Sequence, residues 1–490
     1  MNRRRIQKGA AMLVILLLLP SWQGCITVGP DYENASPDVP ANWNEKTEIT
    51  GQSIEPSRWW ERFHDEHLNA LMQQARDKNL TLAQARTSIL ASRASLGIEE
   101  SANWPSIDAS GSATSTATKN NYTAEDQIPT TTQQALDNEL ARKERAKITN
   151  GKRYSAGLDA SWEIDLFGGR RRAIEAATAD LENVEAQYND ALVSLMAEVA
   201  LNYIQSLAYK ERIRIANENL ARQSEALQLV QWRFEAGLAS ELELHQAKLN
   251  VQTTKASLPP LQTNLKISMN ALSVLLAEPP GGLESRLSGI QAIPETSADI
   301  FAGIPADVIR RRPDVRAAER ALAASVARIG AAKAELFPTF YIPGSVGIDA
   351  LSADQFKTGN ARSSSIGLGF RWNIFDAGAI RRNVALKDAL AEKARQNYRQ
   401  VVLEALQEVE NAIVSCALQK ERIRELESAE KSAGEAAELT MLQYRSGLLD
   451  FESVLNAQQR LLSTQDSLVS ARAEQMSNVV RLFKSLGGGW

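Results

Sequence analysis

Two segments of the chain alternate strictly between apolar and polar residues, which predicts strands with one apolar face. In residues 154–166 every second position is apolar, and residues 366–375 repeat this pattern. Long strands of this kind are typical of a membrane barrel with lipid outside and water inside, although an amphipathic strand on a soluble core is an alternative. The side chains predicted to face lipid are Leu158, Trp162, Ile164, Leu368, Phe370 and Trp372.

Two weaker strand patterns, at residues 106–115 and 339–350, complete two predicted hairpins. Four strands cannot close a membrane barrel, since about eight is the smallest number seen. An open sheet edge in lipid would leave backbone N–H and C=O groups without partners. Several chains are therefore expected to share one barrel.

Two long segments, residues 170–234 and 380–444, contain no proline and show heptad-like apolar spacing. Each has the length of a helix of roughly 100 Å at about 1.5 Å per residue. Each ends at a glycine, Gly237 or Gly447, and returns as a second helix. Glycine just past a helix is typical of a C-cap, so the pattern predicts two antiparallel helical hairpins. A further helix is predicted over residues 66–103.

The two halves of the chain are related by an internal repeat. Trp162 matches Trp372 and Phe234 matches Tyr444 at one constant offset, so each half has the order helix, strand, strand, long helix, helix. A duplication that combines membrane-type strands with very long helices predicts an envelope-spanning tube, because these elements have the lengths of a bilayer and of a periplasm. The predicted regions are a signal peptide (1–24), a lipidated extended leader (25–65), repeat 1 (66–278), an equatorial linker (279–304), repeat 2 (305–483) and a tail (484–490).

The N-terminus has the features of a secretory signal. Basic residues precede an apolar run that is too short to span a bilayer. Gly24-Cys25 then resembles the end of a bacterial lipobox, which predicts a covalent lipid on Cys25, although Trp22 departs from the usual leucine. In many such lipoproteins an Asp directly after the cysteine retains the protein in the inner membrane. This chain has Ile26 at that position, which favours the outer membrane. An ordinary secreted protein with an incidental cysteine is the alternative.

Composition and charge give no indication of chemistry. The net charge of −4 offers no general reason to expect nucleic acid, and three histidines without a cysteine cluster do not favour a metal site. The basic runs at residues 170–172 and 310–312 lack a glycine-rich frame and are interpreted as helix starts or turns. No phosphate loop or nucleophile constellation is found, so we expect neither an enzyme nor a cofactor apart from the lipid.

Several short motifs occur in a specific order over nearly the whole mature chain. Their order resembles that of the outer-membrane factors, the TolC/OprM-like exit ducts of tripartite efflux pumps, in the NodT-type lipoprotein branch. The resemblance implies an α+β membrane protein: a homotrimer with a twelve-stranded β-barrel, four strands per chain, continuous with a long α-helical periplasmic barrel. The motifs are Cys25 with Gly29-Pro30-Asp31-Tyr32, residues 304–319, Phe337-Pro338, Phe375-Asp376-Ala377-Gly378 and residues 486–490.

The resemblance also implies positions for a gate and for a partner. The periplasmic gate falls on Glu452, Ser453 and Asn456. Relatives commonly carry an apolar residue at the first position and Asp at the third, so three copies of Glu452 could form a negative ring here; alternatively Glu452 is a solvated helix residue. The helical tips that would contact a periplasmic adaptor comprise Arg233, Gly237, Leu238, Arg445, Gly447 and Leu448, unless the glycines only cap helices.

The function implied is passive conduction of drugs or other small solutes through the outer membrane of a Gram-negative bacterium. The implied partners are an inner-membrane efflux transporter, a periplasmic adaptor and outer-membrane lipid, with no nucleic acid. Two alternatives remain open, an exit duct for type I protein secretion and a non-conducting structural spacer.

Overall fold

The computed structural model describes residues 27–33, 39–44, 56–118, 149–287, 289, 293–294, 305–358 and 362–490. Cys25, the predicted signal peptide and most of the predicted linker therefore lie outside the described residues. The chain forms two compact units. The sheet unit comprises Met1–Tyr32, Ala94–Thr178 and Ala324–Ala391, and the helical unit comprises Glu33–Arg93, Ala179–Ala323 and Glu392–Trp490.

The described helices match the repeat that the sequence predicts. Two of them have 67 residues each, about 100 Å at 1.5 Å per residue. A 3-10 helix, Pro56–Phe63, comes first. The α-helices are α1 (Glu66–Lys78), α2 (Leu80–Ser101), α3 (Gly169–Glu235), α4 (Glu241–Leu275), α5 (Leu283–Leu287), α6 (Pro305–Arg311), α7 (Pro313–Ala334), α8 (Ala353–Thr358), α9 (Ala379–Arg445) and α10 (Phe451–Ser485).

The helix predicted over residues 66–103 is instead two helices, because Asn79 interrupts it. The backbone of Asn79 has φ −59° and ψ 129°, which is not helical. Its side-chain oxygen accepts a hydrogen bond from the N–H of Leu82 (3.0 Å), and its side-chain nitrogen donates to the carbonyl of Leu275 (2.9 Å). Asn79 thus caps α2 and ties it to α4.

The described strands form one antiparallel sheet in the order β1-β2-β3-β4, with β5 also paired to β3. β4 and β5 pair with β3 in a single register, so together they occupy one strand position. The sheet therefore has the four strand positions that the sequence predicts. The predicted fourth strand at 366–375 is displaced, however, since pairing ends at Arg371. The strands are β1 (Ser106–Thr118), β2 (Thr149–Ile164), β3 (Thr339–Ala350), β4 (Arg362–Ile366) and β5 (Gly369–Arg371).

Pro343 explains the gap between β4 and β5. The N–H of Gly367 donates to the carbonyl of Pro343 at 3.0 Å. The reciprocal bond cannot form, because proline has no N–H. The ladder is interrupted there and resumes in the same register at Gly369.

The sheet has one apolar and one polar face, as the alternating pattern predicts. On the apolar face, Leu158 lies opposite Ala109 and Val346, and the rings of Phe340 and Phe370 are 6.1 Å apart. On the polar face, hydrogen bonds cross between strands. The bonded pairs there are Ser110–Asp159, Ser112–Ser155, Ser345–Ser365 and Arg153–Asp349.

The helical unit has its main core where α1, α3, α4, α9 and α10 pack together. Trp59 stacks on Phe483 with ring centroids 5.3 Å apart, and the Tyr203 hydroxyl donates to Asp65 at 2.6 Å. Among the described residues, α3 is the one helix with a window long and apolar enough to cross a bilayer. Because 67% of that window is buried within the chain, α3 is better described as a core helix.

Candidate functional site

The motif that follows Cys25 is docked on the sheet unit. The N–H of Val28 donates to the carbonyl of Phe167 (3.1 Å), and the guanidinium of Arg172 donates to Asp31 (2.5 Å). The Arg172 side chain is only 4% exposed. Gly29 has φ +106° and lies directly on Gly330, where a Cβ would stand 2.4 Å from the Gly330 Cα. Arg172, interpreted from the sequence as part of a helix start, therefore holds the leader.

The structure places the predicted lipid-facing residues of the strands on the apolar face. Leu158 is 53% exposed and Phe370 is 65% exposed within the single chain. Ile164 lies opposite Phe340 and Trp162 lies opposite Ile342. The two remaining residues are also exposed but lie outside the ladder, Leu368 in the gap before β5 and Trp372 just after it.

The two repeat-related tryptophans make equivalent hydrogen bonds. The indole Nε1–H of Trp162 donates to the carbonyl of Asn103 at 2.8 Å, and that of Trp372 donates to the carbonyl of Leu336 at 3.1 Å. Each acceptor lies two positions before a proline, and each proline directly precedes the first residue of a strand. Each tryptophan therefore combines an apolar body with a satisfied polar group at one end of the sheet, as tryptophans do at membrane interfaces.

Both helical hairpins turn through the same capping geometry. Gly237 and Gly447 have φ +69° and +77°. The following N–H groups, of Leu238 and Leu448, donate to carbonyls five residues back at 2.7 Å and 2.9 Å. This is the Schellman arrangement, in which a left-handed glycine satisfies the last carbonyls of a helix. The capping role of both glycines is thus observed.

Arg233 links the two hairpins. Its guanidinium donates to the carbonyl of Tyr444 at 2.8 Å and lies 4.6 Å from the centroid of the Tyr444 ring. The Tyr444 hydroxyl is 3.2 Å from Glu243 of α4. Burial is the main cause that raises the pKa of Tyr444 to about 12, so the phenol stays protonated and donates. Arg233, one of the predicted adaptor contacts, is therefore already bonded to another residue of the chain.

The other tip residues face outward. Leu238 is 69% exposed and Leu448 is 75% exposed, and Arg445 is exposed beside them. The sequence did not single out Trp232, which is 59% exposed on the same tip. An exposed tryptophan next to exposed leucines is typical of a surface that meets a protein partner.

The three predicted gate positions lie in the first turns of α10. Asp450 is the N-cap and accepts hydrogen bonds from the N–H (3.0 Å) and hydroxyl (2.6 Å) of Ser453, which lower the pKa of Asp450. Glu452 and Asn456 are exposed one turn apart on the same helix face. Ser453 is thus occupied in capping, whereas the other two side chains are free to line a path.

The opposite face of α10 is fixed in a small core. Phe451 and Val454 are buried against Tyr444, with the Phe451 and Tyr444 ring centroids 5.3 Å apart. Val230 of α3 and Ala247 of α4 complete this core. The ends of α3, α4, α9 and α10 pack together in this core. They therefore fix the orientation of the α10 face that carries Glu452.

The remaining candidates for chemistry in the described part of the chain are metal ligands, the thiol of Cys416 and the second basic run. No cluster of three or more His, Cys, Asp or Glu side chains there has the geometry of a metal site. Cys416 is buried, and burial raises the pKa of its thiol to about 12. The second basic run, at residues 310–312, contributes a buried arginine, Arg312, which binds Asp314 (2.7 Å) and Glu408 (2.6 Å).

Comparison with known proteins adds a family match. Residues 71–278 and 304–488 match the family model described as outer membrane efflux protein. Nodulation protein T of Rhizobium leguminosarum bv. viciae is 30% identical over 485 residues, covering 98% of this chain and 93% of that protein. Pyoverdine export outer membrane protein OpmQ of Pseudomonas putida is 29% identical over 491 residues, covering 98% of this chain and 97% of that protein.

A solved structure of the outer-membrane channel OprN superimposes with a TM-score of 0.85 at 33% identity, covering 95% of this chain and 99% of that one. The predicted family resemblance, the α+β fold class and the location in the outer membrane of a Gram-negative bacterium are therefore confirmed.

Proposed function

Because the chain belongs to the outer membrane efflux protein family, we propose that it is the exit duct of a tripartite efflux pump and conducts small solutes passively. The observation that carries this proposal is the two-faced sheet attached to two 67-residue helices. A sheet with lipid on one side and water on the other can enclose a path through a bilayer. The helices are long enough to extend that path across a periplasmic space.

A homotrimer is the assembly that we propose. In the described sheet, β1 pairs only with β2, and the β4/β5 strand pairs only with β3, so both edges are open. Open edges in lipid are strongly unfavourable. Three chains with four strand positions each would close a barrel of twelve strands, an even number within the range of bacterial outer-membrane barrels.

The partners follow from the surfaces of the helical hairpins. We infer that a periplasmic adaptor docks on the exposed leucines Leu238 and Leu448 and on Arg445, and that an inner-membrane transporter supplies the solute. The lipid on Cys25 is a second membrane anchor in this proposal. Docking of Gly29 and Asp31 on the sheet unit supports it, because the chain just after Cys25 is held on the unit that contains the barrel strands.

The gate is proposed to lie at the start of α10. Glu452 and Asn456 share an exposed face, and three copies of Glu452 around a water-filled axis would attract cations. Recording reversal potentials of single trimers in asymmetric salt tests this assignment. We expect Glu452→Gln to lower cation selectivity without loss of trimer. A reversal potential equal to that of the parent would place the constriction elsewhere.

Conductance of purified trimers in a planar bilayer tests the duct itself. Discrete current steps support a conduit, whereas silent but folded, membrane-inserted trimers would favour the non-conducting spacer. The family description gives efflux, which favours solute export over type I protein secretion. Identification of the transporter that co-purifies with the trimer distinguishes these two, since the secretion system requires a transporter that exports protein.

A further inference from the structure

A cavity of about 700 Å³ lies on the polar face of the sheet, at the end where β1 and β3 begin. Its volume falls within the usual range of small-molecule sites. The cavity lies entirely within the sheet unit. Its lining includes Trp104, Ser161, Glu163, Tyr341 and Arg371.

A glycine fixes the aromatic wall of this cavity. Gly369 is the cross-strand partner of Tyr341. A Cβ on Gly369 would lie 2.6 Å from the Cζ of the tyrosine ring, so the ring can lie across the strand only because the partner has no side chain. Arg371 follows on the same face, with its Cζ 6.0 Å from the ring centroid, within the range of a cation–π contact. The glycine therefore places the tyrosine, and the tyrosine orients the guanidinium.

The charges in the cavity leave an arginine available. Glu163, the other cross-strand neighbour of Tyr341, is bound by Arg170 at 2.8 Å. Within the described ranges no carboxylate lies within salt-bridge distance of Arg371. The buried Nε of Arg170 likewise has no hydrogen-bond acceptor in that part of the chain. Two guanidinium groups thus face one carboxylate, which gives the cavity a net positive charge.

We propose that this cavity is a transit site for planar organic anions, such as aromatic carboxylates and sulfonates. Arg371 binds the anionic group, since a guanidinium presents two parallel N–H donors that match two oxygens of a carboxylate or sulfonate. The Tyr341 ring and the indole of Trp104, which is 76% exposed, provide apolar faces for the aromatic part. The inference rests on the proposed function, because the polar face lines a lumen only in a shared barrel.

Calorimetric titration of detergent-solubilised trimers with naphthalene-2-sulfonate tests the proposal. Two probes separate the contributions: 2-naphthylmethylammonium has the ring with the opposite charge, and methanesulfonate has the anion without the ring. We expect the naphthalene sulfonate to bind at least roughly tenfold more tightly than the ammonium probe, which lacks a charge-assisted hydrogen bond worth one decade or more. It should also bind more tightly than methanesulfonate, which lacks the aromatic contacts. Equal binding of the cation would overturn the proposal without any variant.

Two variants of Arg371 and one control variant locate the site. Arg371→Gln is expected to weaken sulfonate binding roughly tenfold, and Arg371→Lys to restore only part of it, because an ammonium lacks the planar pair of donors. Arg362→Gln is the control, since Arg362 is an exposed arginine at the far end of the same strand position, on the apolar face, and does not line the cavity. Unchanged binding in Arg371→Gln, or an equal loss in Arg362→Gln, contradicts the assignment.

Recording conductance on the same trimers separates this inference from the proposed duct. Conducting trimers that do not bind the sulfonate refute the transit site alone. Trimers that bind the sulfonate through Arg371 but never conduct refute the duct, and with it the role of the cavity in transit.

Discussion

The opposite faces of β2 allow a direct test of which side meets lipid. Leu158 lies six residues before the strand ends at Ile164. At about 3.3 Å per residue and a tilt of about 40°, this places Leu158 roughly 15 Å above the strand end, near the middle of an apolar band about 25 Å tall. Arginine at such a depth costs about 2–4 kcal/mol per chain, or roughly 6–12 kcal/mol in a trimer.

Asp159 is the matched control, because it is the next residue on the same strand and points to the polar face. Asp159→Arg removes one exposed hydrogen bond from Ser110 (3.3 Å), a loss of about 0.5–1 kcal/mol. Trp162→Arg should be intermediate: its site lies two residues from the strand end, where arginine costs about 0–1 kcal/mol, but the bond to Asn103 is lost as well.

The assay is denaturant unfolding of trimers from phospholipid vesicles, together with the yield of trimer in the outer membrane. We expect Leu158→Arg to lower both strongly and Asp159→Arg to resemble the parent. Equal losses in the two variants, or greater damage in Asp159→Arg, would refute the assignment of the two faces.

Three further outcomes are expected. Tyr444→Phe, which installs the residue of the equivalent position Phe234, removes the bond to Glu243 and should lower trimer stability in thermal melts by about 0.5–1.5 kcal/mol; an unchanged melting temperature contradicts the link. Burial raises the pKa of Asp190, so its ionised form destabilises the fold above that pKa. Asp190→Asn should therefore melt at a higher temperature than the parent at neutral pH, with a difference that shrinks as acid protonates the parent; a constant difference contradicts this. Cys25→Ser should abolish metabolic palmitate labelling while leaving the trimer in the membrane, and persistent label excludes the lipobox.

The strands and long helices were predictable because their signals are local. The alternation around Leu158 and the heptads before Gly237 and Gly447 depend on residues a few positions apart. Pro343 could have indicated the gap in the fourth strand, but only once its cross-strand partner was known. Likewise Asn79 caps α2 through Leu82, three residues away, but its bond to α4 depends on the distant Leu275.

The residues whose contacts no local pattern shows act across the chain. Arg233 has the appearance of a surface residue, yet its guanidinium donates to the carbonyl of Tyr444 in the other repeat. Arg371 and Tyr341 meet because Gly369 leaves space between them, which no local pattern records. Long-range pairs of this kind need the register of the sheet or the packing of the hairpins before they can be recognised.

The central claim is that a continuous water path passes the start of α10 and leaves through the barrel. Shortening both Glu452 and Asn456 to alanine removes the side chains on the exposed face of that helix, while the buried Phe451 and Val454 keep the helix in place. The most direct measurement is the resting conductance of single trimers of this double variant beside the parent. We predict larger and longer current steps in the variant, and a resting conductance equal to that of the parent would contradict the account.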